Sequence, residues 1–298
     1  MTTSHTNVGD AQVPAKLAIT ELAEMKRQGT RIAMVTAYDA AGARLAEAAG
    51  MDIVLVGDSA AMVVLGHEST VPVTMDEMLF MTRSVARAAR HTLVVGDMPF
   101  GSYQVSDEEA VRNAIRFVKE GGADTVKLEG AGRMLPRVRA IVESGIPVMG
   151  HIGLTPQSVT ALGGYKAQGR TAAKAQRLVA DALALQEAGC YSLVLEAVPT
   201  AVAARITESL TIPTIGIGAG PHCDGQVLVY HDLLGLTEGH TARFVKRYAD
   251  LATIIREALA AFVADVRSGA YPEERHTYGM AADEQAAFEA AVGETPAP

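Results

Sequence analysis

The sequence has no tryptophan, and aromatic residues make up only 5% of its 298 positions. A core built from it must be aliphatic. With 49% hydrophobic residues, Ala, Val, Leu, Ile and Met are numerous enough to bury a sizeable one. Cysteine is nearly absent as well. Cys190 and Cys223 form no disulfide framework and no metal-type spacing, and both read as buried or incidental thiols. No apolar run approaches the roughly 18 residues of a membrane span. The opening "MTTSHTNVGDAQVPA" lacks a basic region followed by an apolar one, so a cytoplasmic location is expected. Dense clusters of Lys and Arg are missing and the net charge is −8. Neither nucleic acid nor a membrane surface is therefore expected as a partner.

What is present is alternation. Residues 1–15 read as a disordered N-terminal segment, and "KLAITELAEMKRQG" as an amphipathic helix stopped by Gly29. Short Val/Ile/Leu runs then alternate with Ala-rich helical stretches. The runs are "RIAMVTA", "DIVLVGD", "TLVVGDM", "DTVKLEG", "PVMGHIG", "SLVLEAV" and "PTIGIGAG". Thr74 and Ser106 stand where helix N-caps belong, with acids in the turns they open. The eighth unit is ambiguous. A parallel neighbour ordinarily needs a crossover of about a dozen residues, and "GQVLVYHDLLG" follows "GIGAG" too closely for that. The expectation is therefore that Asp224 caps a helix over residues 225–236 and that "RFVKRY", residues 243–248, is the eighth strand. "LATIIREALAAFVADVRSG" supplies the last helix. Eight βα units in about 250 residues, after one extra helix, predict an α/β fold, a (β/α)8 TIM barrel. It spans residues 16–270, with 271–298 as a C-terminal tail. A doubly wound open sheet is the alternative, since strand order is invisible in a sequence.

In such barrels chemistry sits at the C-terminal ends of the strands. Here those ends carry Asp58, Asp97, Lys127, Glu129, His151 and Glu196. Any one of them alone reads as a turn former, a solvated charge or a hydrogen-bonded histidine. Together they converge on one rim. Carboxylates without a thiolate or a histidine pair suit a hard cation, most simply Mg²⁺ that keeps several waters, with Asp58, Asp97 and Glu129 as ligands. Such an ion can be chelated by a 2-oxo acid through its carboxylate and keto oxygen. Lys127 adds positive charge for the substrate carboxylate or an enolate, and Glu196 is free to act as base. His151 is a supporting residue. The residues point to metal-assisted enolisation and leave open what the enolate attacks. Weaker signals surround this set. "GIGAG", Gly216–Gly220, reads either as a phosphate cradle at a helix N-terminus or as a tight packing turn. His222 and Cys223 are adjacent and make a poor metal pair.

Several longer stretches extend the reading: "TAYDA", "VGDSAAMVVLGHESTVPVT", "GDMPFGSY", "VKLEG", "GHIGLTPQ", "LVLEAVP", "IGIGAG" with "DGQVLVYHDLLGL", and "RFVKRYAD". In these, and in their order, the chain resembles the ketopantoate hydroxymethyltransferase family from about Lys16 to Ala270. The resemblance implies a barrel related to phosphoenolpyruvate mutase and isocitrate lyase. It also implies hydroxymethyl transfer from 5,10-methylenetetrahydrofolate to 3-methyl-2-oxobutanoate with Mg²⁺, in pantothenate and coenzyme A biosynthesis. Residues matching Asp58, Asp97 and Glu129 then surround the metal. Those matching Asp58, Ser59, Asp97 and Lys127 hold the oxo acid, and the one matching Glu196 accepts the proton. A homodecamer of two pentamer rings is implied too. The chain has "GDSAAM" where the family usually has "GDSLGM", which bears on the loop after Ser59. The rival readings are a carbon–carbon lyase of the isocitrate lyase type, which would need a cysteine on a mobile loop, and a non-catalytic barrel used as a scaffold.

Overall fold

The computed structural model describes residues 15–237, 239 and 241–293. The alternating runs form β1 (Ile32–Thr36), β2 (Ile53–Val56), β3 (Leu93–Asp97), β4 (Thr125–Glu129), β5 (Val148–Gly153), β6 (Ser192–Glu196), β7 (Thr214–Ile217) and β8 (Gly225–Leu228). They pair in parallel and in chain order, and β8 closes on β1. An open doubly wound sheet is thereby excluded. Between the strands run α2 (Ala40–Ala48), α3 (Met75–Ala88), α4 (Asp107–Arg116), α5 (Leu135–Glu143), α6 (Ala172–Glu187) and α7 (Thr200–Ser209), with α1 (Ile19–Gln28) ahead of β1. The expected caps are in place. Thr74 Oγ1 accepts from Glu77 N at 3.3 Å while Glu77 returns a bond to Thr74 N, and Ser106 Oγ accepts from Glu109 N at 3.2 Å.

Successive strand residues face opposite sides, so the barrel has two apolar layers. Ile32, Met34, Ile53, Leu55, Leu93, Val95, Met149, Val194, Ile215 and Val227 fill the interior, and Leu22 of α1 is buried among them. The alternate residues, such as Val54, Val94, Val126 and Leu193, pack outward against helix side chains that include Met78, Phe117, Ile141 and Ile206. α1 and the residues before it are tied to the N-terminal mouth. Leu17 N donates to His91 O at 2.8 Å, Lys16 pairs with Asp124 at 2.6 Å, and Lys26 pairs with Asp224 at 2.7 Å. One mouth is thus closed by α1, and the other is left for chemistry.

The eighth unit differs from the expectation. Residues 225–228 are β8, a one-turn helix covers only Tyr230–Leu233, and Arg243–Tyr248 is not a strand. Asp224 caps no helix. Its Oδ2 accepts from Thr214 N and Thr214 Oγ1 at 2.8 and 3.1 Å. The reason is stagger. β8 begins opposite Ile215, only two residues before the end of β7. The chain therefore retreats about 7 Å between the two strands, and the short stretch Gly218–Asp224 spans that without a helix. The twelve-residue rule holds for a full-length return, which this is not.

A second compact unit begins at Asp250. It contains α8 (Leu251–Ser268), the helix expected to end the barrel pattern, and α9 (Ala282–Gly293) within the expected tail. Inside it Phe262 and His276 each lie against Tyr271, with ring centroids 5.5 and 5.4 Å apart.

One partly buried contact gives a pH test of the fold. Glu47, at the end of α2, accepts from His91 N at 2.6 Å and Thr92 N at 3.1 Å, just before β3. Burial alone would raise its pKa, but the backbone donors outweigh it and hold the carboxyl below its ordinary value. A depressed folded-state pKa stabilises above the unfolded value of about 4.3, and that stability is lost as pH falls through the folded pKa. Glu47→Gln should therefore lower stability at pH 7 by about 1 kcal/mol. The gap to the parent should close as thermal melts are taken to about pH 3. A gap that stays constant across that range would show that the charge contributes nothing.

Candidate active site

At the open mouth the inward register continues with polar residues. Asp97, Lys127, Glu129, His151 and Glu196 lie at the ends of β3 to β6, with Asp97 paired to Lys127 and Glu129 to His151 across neighbouring strands. Asp58 stands two residues beyond β2. All six, with Ser59, line a single cavity of about 1270 Å³. The structure thus brings together the six strand-end residues and Ser59 that the sequence pointed to.

The floor of this cavity is a charge cluster out of water. Lys127 Nζ donates to Asp97 Oδ1 at 2.6 Å, and Asp97 Oδ2 accepts from Asp58 N at 3.1 Å. Burial would lower the Lys127 pKa, but Asp97, Glu129 and Asp58 outweigh it and raise it, so the ammonium is held. For Asp58, burial and then the like charges of Asp97 and Glu129 push the pKa well up. Glu129 goes the other way. Burial would raise it, but His151 beside it wins and lowers it. The same contact, against burial, lifts His151 to about 9. His151 lies between two acids, Nδ1 3.2 Å from Glu129 and Nε2 3.3 Å from Glu196, which favour its protonated form. Neither contact is aligned as a directed hydrogen bond, so both ring nitrogens are left without one.

Two residues in this network were not singled out in the sequence. Gln157 donates through Nε2 to Asp58 Oδ2 and to Met98 O, each at 3.0 Å, and its backbone N donates to Glu129 Oε2 at 3.1 Å. Tyr103 OH donates to Gln157 Oε1 at 2.5 Å and accepts from Glu129 N at 3.2 Å. Both lie inside quoted motifs, "GHIGLTPQ" and "GDMPFGSY". A neutral amide in a 3-10 turn and a phenol on a loop carry no strand-end signal that would separate them from turn residues.

Glu196 is held by its backbone. Its carbonyl accepts from Leu154 N at 2.8 Å, and Ala197 N donates to Ile217 O at 2.8 Å. Ala197 has φ +47°, a left-handed shape that costs a non-glycine residue about 1 kcal/mol or more. A Cβ on Gly153 would stand 2.2 Å from the Glu196 carbonyl oxygen, so only glycine allows β5 this close. The "GIGAG" run is also explained by packing. A Cβ on Gly218 would stand 2.6 Å from Phe244 and one on Gly220 2.5 Å from Thr200. The run leads into β8 and not into a helix, which removes the dipole that a helix N-terminus would bring to a phosphate. At "GDSAAM", Ala60 and Ala61 are buried in a one-turn helix, Ala60–Val63, with Ala61 N bonded to Asp58 O at 2.9 Å. Helical backbone there needs no glycine.

The donor chemistry fits a hard cation. Asp58, Asp97 and Glu129 offer only oxygen, and burial and the acidic neighbours oppose ionisation of Asp58, a penalty that a cation beside it would offset. Among the described residues, no three His, Cys, Asp or Glu groups form a closed ligand set. Ser59 Oγ lies 2.9 Å from Tyr38 OH at the edge of the same cavity. Neither cysteine lines it. Cys190 is buried elsewhere, with burial pushing its thiol up to about 12.

Comparison with known proteins agrees with this geometry. Residues 16–274 match the family model described as ketopantoate hydroxymethyltransferase. A 3-methyl-2-oxobutanoate hydroxymethyltransferase of Carboxydothermus hydrogenoformans is 56% identical, over 89% of this chain and 96% of the relative. One of Moorella thermoacetica is 57% identical, over 89% and 98%. Among solved structures, a phosphoenolpyruvate phosphomutase from Streptomyces platensis subsp. rosaceus superposes with TM-score 0.57 at 16% identity, over 93% and 98% of the two chains. A 2,3-dimethylmalate lyase of the PEP mutase/isocitrate lyase superfamily gives 0.55 at 15%, over 92% and 99%. The solved structures speak to the fold, and the curated relatives, matched nearly end to end, to the family: the chain belongs to the ketopantoate hydroxymethyltransferases.

Proposed function

We propose that this site enolises a 2-oxo acid with Glu196 as base and joins the enolate to a one-carbon unit. The activity that goes with the family is 3-methyl-2-oxobutanoate hydroxymethyltransferase, a step of pantothenate biosynthesis. The observation that carries the mechanism is the division of one cavity. The carboxylates of β2 to β4 and Lys127 occupy one side, and Glu196 stands on β6 with His151 between.

Asp58, Asp97 and Glu129 would hold Mg²⁺, which when bound polarises the keto group and stabilises negative charge on its oxygen. Lys127 is held charged by Asp97 and places a fixed positive charge beside the oxo acid. Ser59 and Asp58 border the same space. Glu196 takes the proton from C3, and the electron pair of that C–H bond moves into the enolate. In 5,10-methylenetetrahydrofolate, the cosubstrate that the family's activity implies, water adds to the methylene carbon, the C–N bonds break and tetrahydrofolate leaves, which frees the one-carbon unit as formaldehyde. C3 bonds to that carbon as its C=O π bond opens, and the resulting alkoxide takes back the proton from Glu196, so the product is 2-dehydropantoate. His151 Nε2 stands 3.3 Å from Glu196, between that carboxylate and Glu129. The lyase reading is disfavoured because both cysteines lie outside the cavity lining.

Glu196→Gln keeps shape and polarity but cannot accept a proton. It should still bind the oxo acid, yet exchange its C3 proton with deuterated water about 10²–10⁴-fold more slowly. Exchange at the parental rate would remove Glu196 from the role. Asp58→Ala and Asp97→Ala should each weaken the Mg²⁺-dependent part of oxo-acid binding in calorimetric titration. Undiminished metal dependence in either would count against the ligand set. The proposal includes assembly as a homodecamer. Leu45 of α2 and Phe80 of α3 stand exposed on adjacent helices, and such apolar groups favour association. Light scattering should give about ten times the 31.2 kDa chain mass, and a stable monomer at micromolar concentration would overturn this.

A further inference from the structure

The cavity is too large for the oxo acid alone. At about 1270 Å³ it exceeds the roughly 300–1,000 Å³ of sites that bury one drug-sized ligand. Its charge is divided as well. The buried floor is acidic, whereas the rim carries Lys166, Arg170 and Arg243, all exposed and none in an ion pair with a described residue. Tyr165 and Phe244 line the same part of the wall.

The cationic segment is anchored beside the base. Gln168, between Lys166 and Arg170, donates its backbone N–H to Ala197 O at 2.9 Å, one residue beyond Glu196. On the β7 side, Gly218 leaves the space that Phe244 fills. The rim therefore lies over β6 and β7, across the cavity from Asp58, Asp97 and Lys127.

Resting on the function proposed above, we infer that Lys166, Arg170 and Arg243 bind the anionic glutamate tail of the folate cosubstrate, with Tyr165 and Phe244 flanking its ring system. The oxo acid and its charge network occupy the floor, and the three cations at the mouth, none in an ion pair with a described residue, attract the tail. This orientation keeps the one-carbon unit near Glu196 and the enolate, and the carboxylates toward solvent. Guanidinium groups suit carboxylates because their donors match the two oxygens.

The test compares donors that differ only in the tail: methylenetetrahydropteroate without glutamate, the monoglutamate and the triglutamate. The parent should show KM falling as glutamates are added, and that advantage should shrink with added salt, because exposed charge pairs are screened. The triple variant Lys166→Gln, Arg170→Gln, Arg243→Gln should raise KM for the triglutamate about tenfold, the sum expected of three exposed charge pairs. Its KM for the tailless donor should match the parent's, which also shows that the variant is folded. Donor-independent C3 exchange with deuterated water reports the oxo-acid half of the site separately. A triple variant that keeps the parental preference for longer tails would overturn the inference. Absence of C3 exchange in the parent would instead overturn the enolisation reading.

Discussion

Lys127 and Asp97, 2.6 Å apart with both side chains nearly excluded from water, are the contact on which the arrangement of the open mouth depends. An isolated ion in such a place costs several kcal/mol, and the cost is recovered only by close pairing and further hydrogen bonds. Asp97 meets both conditions. One oxygen takes the ammonium and the other takes Asp58 N, which fixes the turn after β2. Gln157 then joins that turn to Glu129, and Glu129 faces His151. Removing the lysine would leave buried acids repelling one another. The network holds because positive groups on β4 and β5 alternate with acids on β2, β3, β4 and β6.

The same residue type does different work at the two mouths. Asp52, Asp124 and Asp224 stand just before β2, β4 and β8, and each accepts a backbone N–H of the preceding strand, from Ala33, Val94 and Thr214, at 2.8 Å. These acids stitch strands together at the end that α1 closes. At the open end Asp58, Glu129 and Glu196 meet an amide, an imidazole and the cavity. An Asp beside a strand therefore takes its meaning from which mouth it faces. β2 shows both cases, with Asp52 structural and Asp58 in the cavity.

Seven strands and the principal helices were legible because apolar periodicity and caps are local properties that survive in a single sequence. β8 was not legible. Its four residues resemble the start of an amphipathic helix, and its place depends on the stagger of β7, a relation between distant segments. The site shows the same division. Charged residues at strand ends could be picked out because strand register aims them in one direction. Gln157 lies in a short 3-10 turn, Pro156–Ser158, and Tyr103 and the rim cations lie on loops, and the course of such segments is set by what they pack against.

By itself the sequence determined an aliphatic α/β chain, the acids and the lysine at the strand ends, and through its longer motifs the family. Only the tertiary structure decided that these ends form one rim, since barrel closure is a pairing of β1 with β8, of Ile32 with Gly225, far apart in the chain. Closure also set which charges became partners. Coulomb energies and burial depend on distance in space and on exclusion of water, and neither can be read from order along a chain.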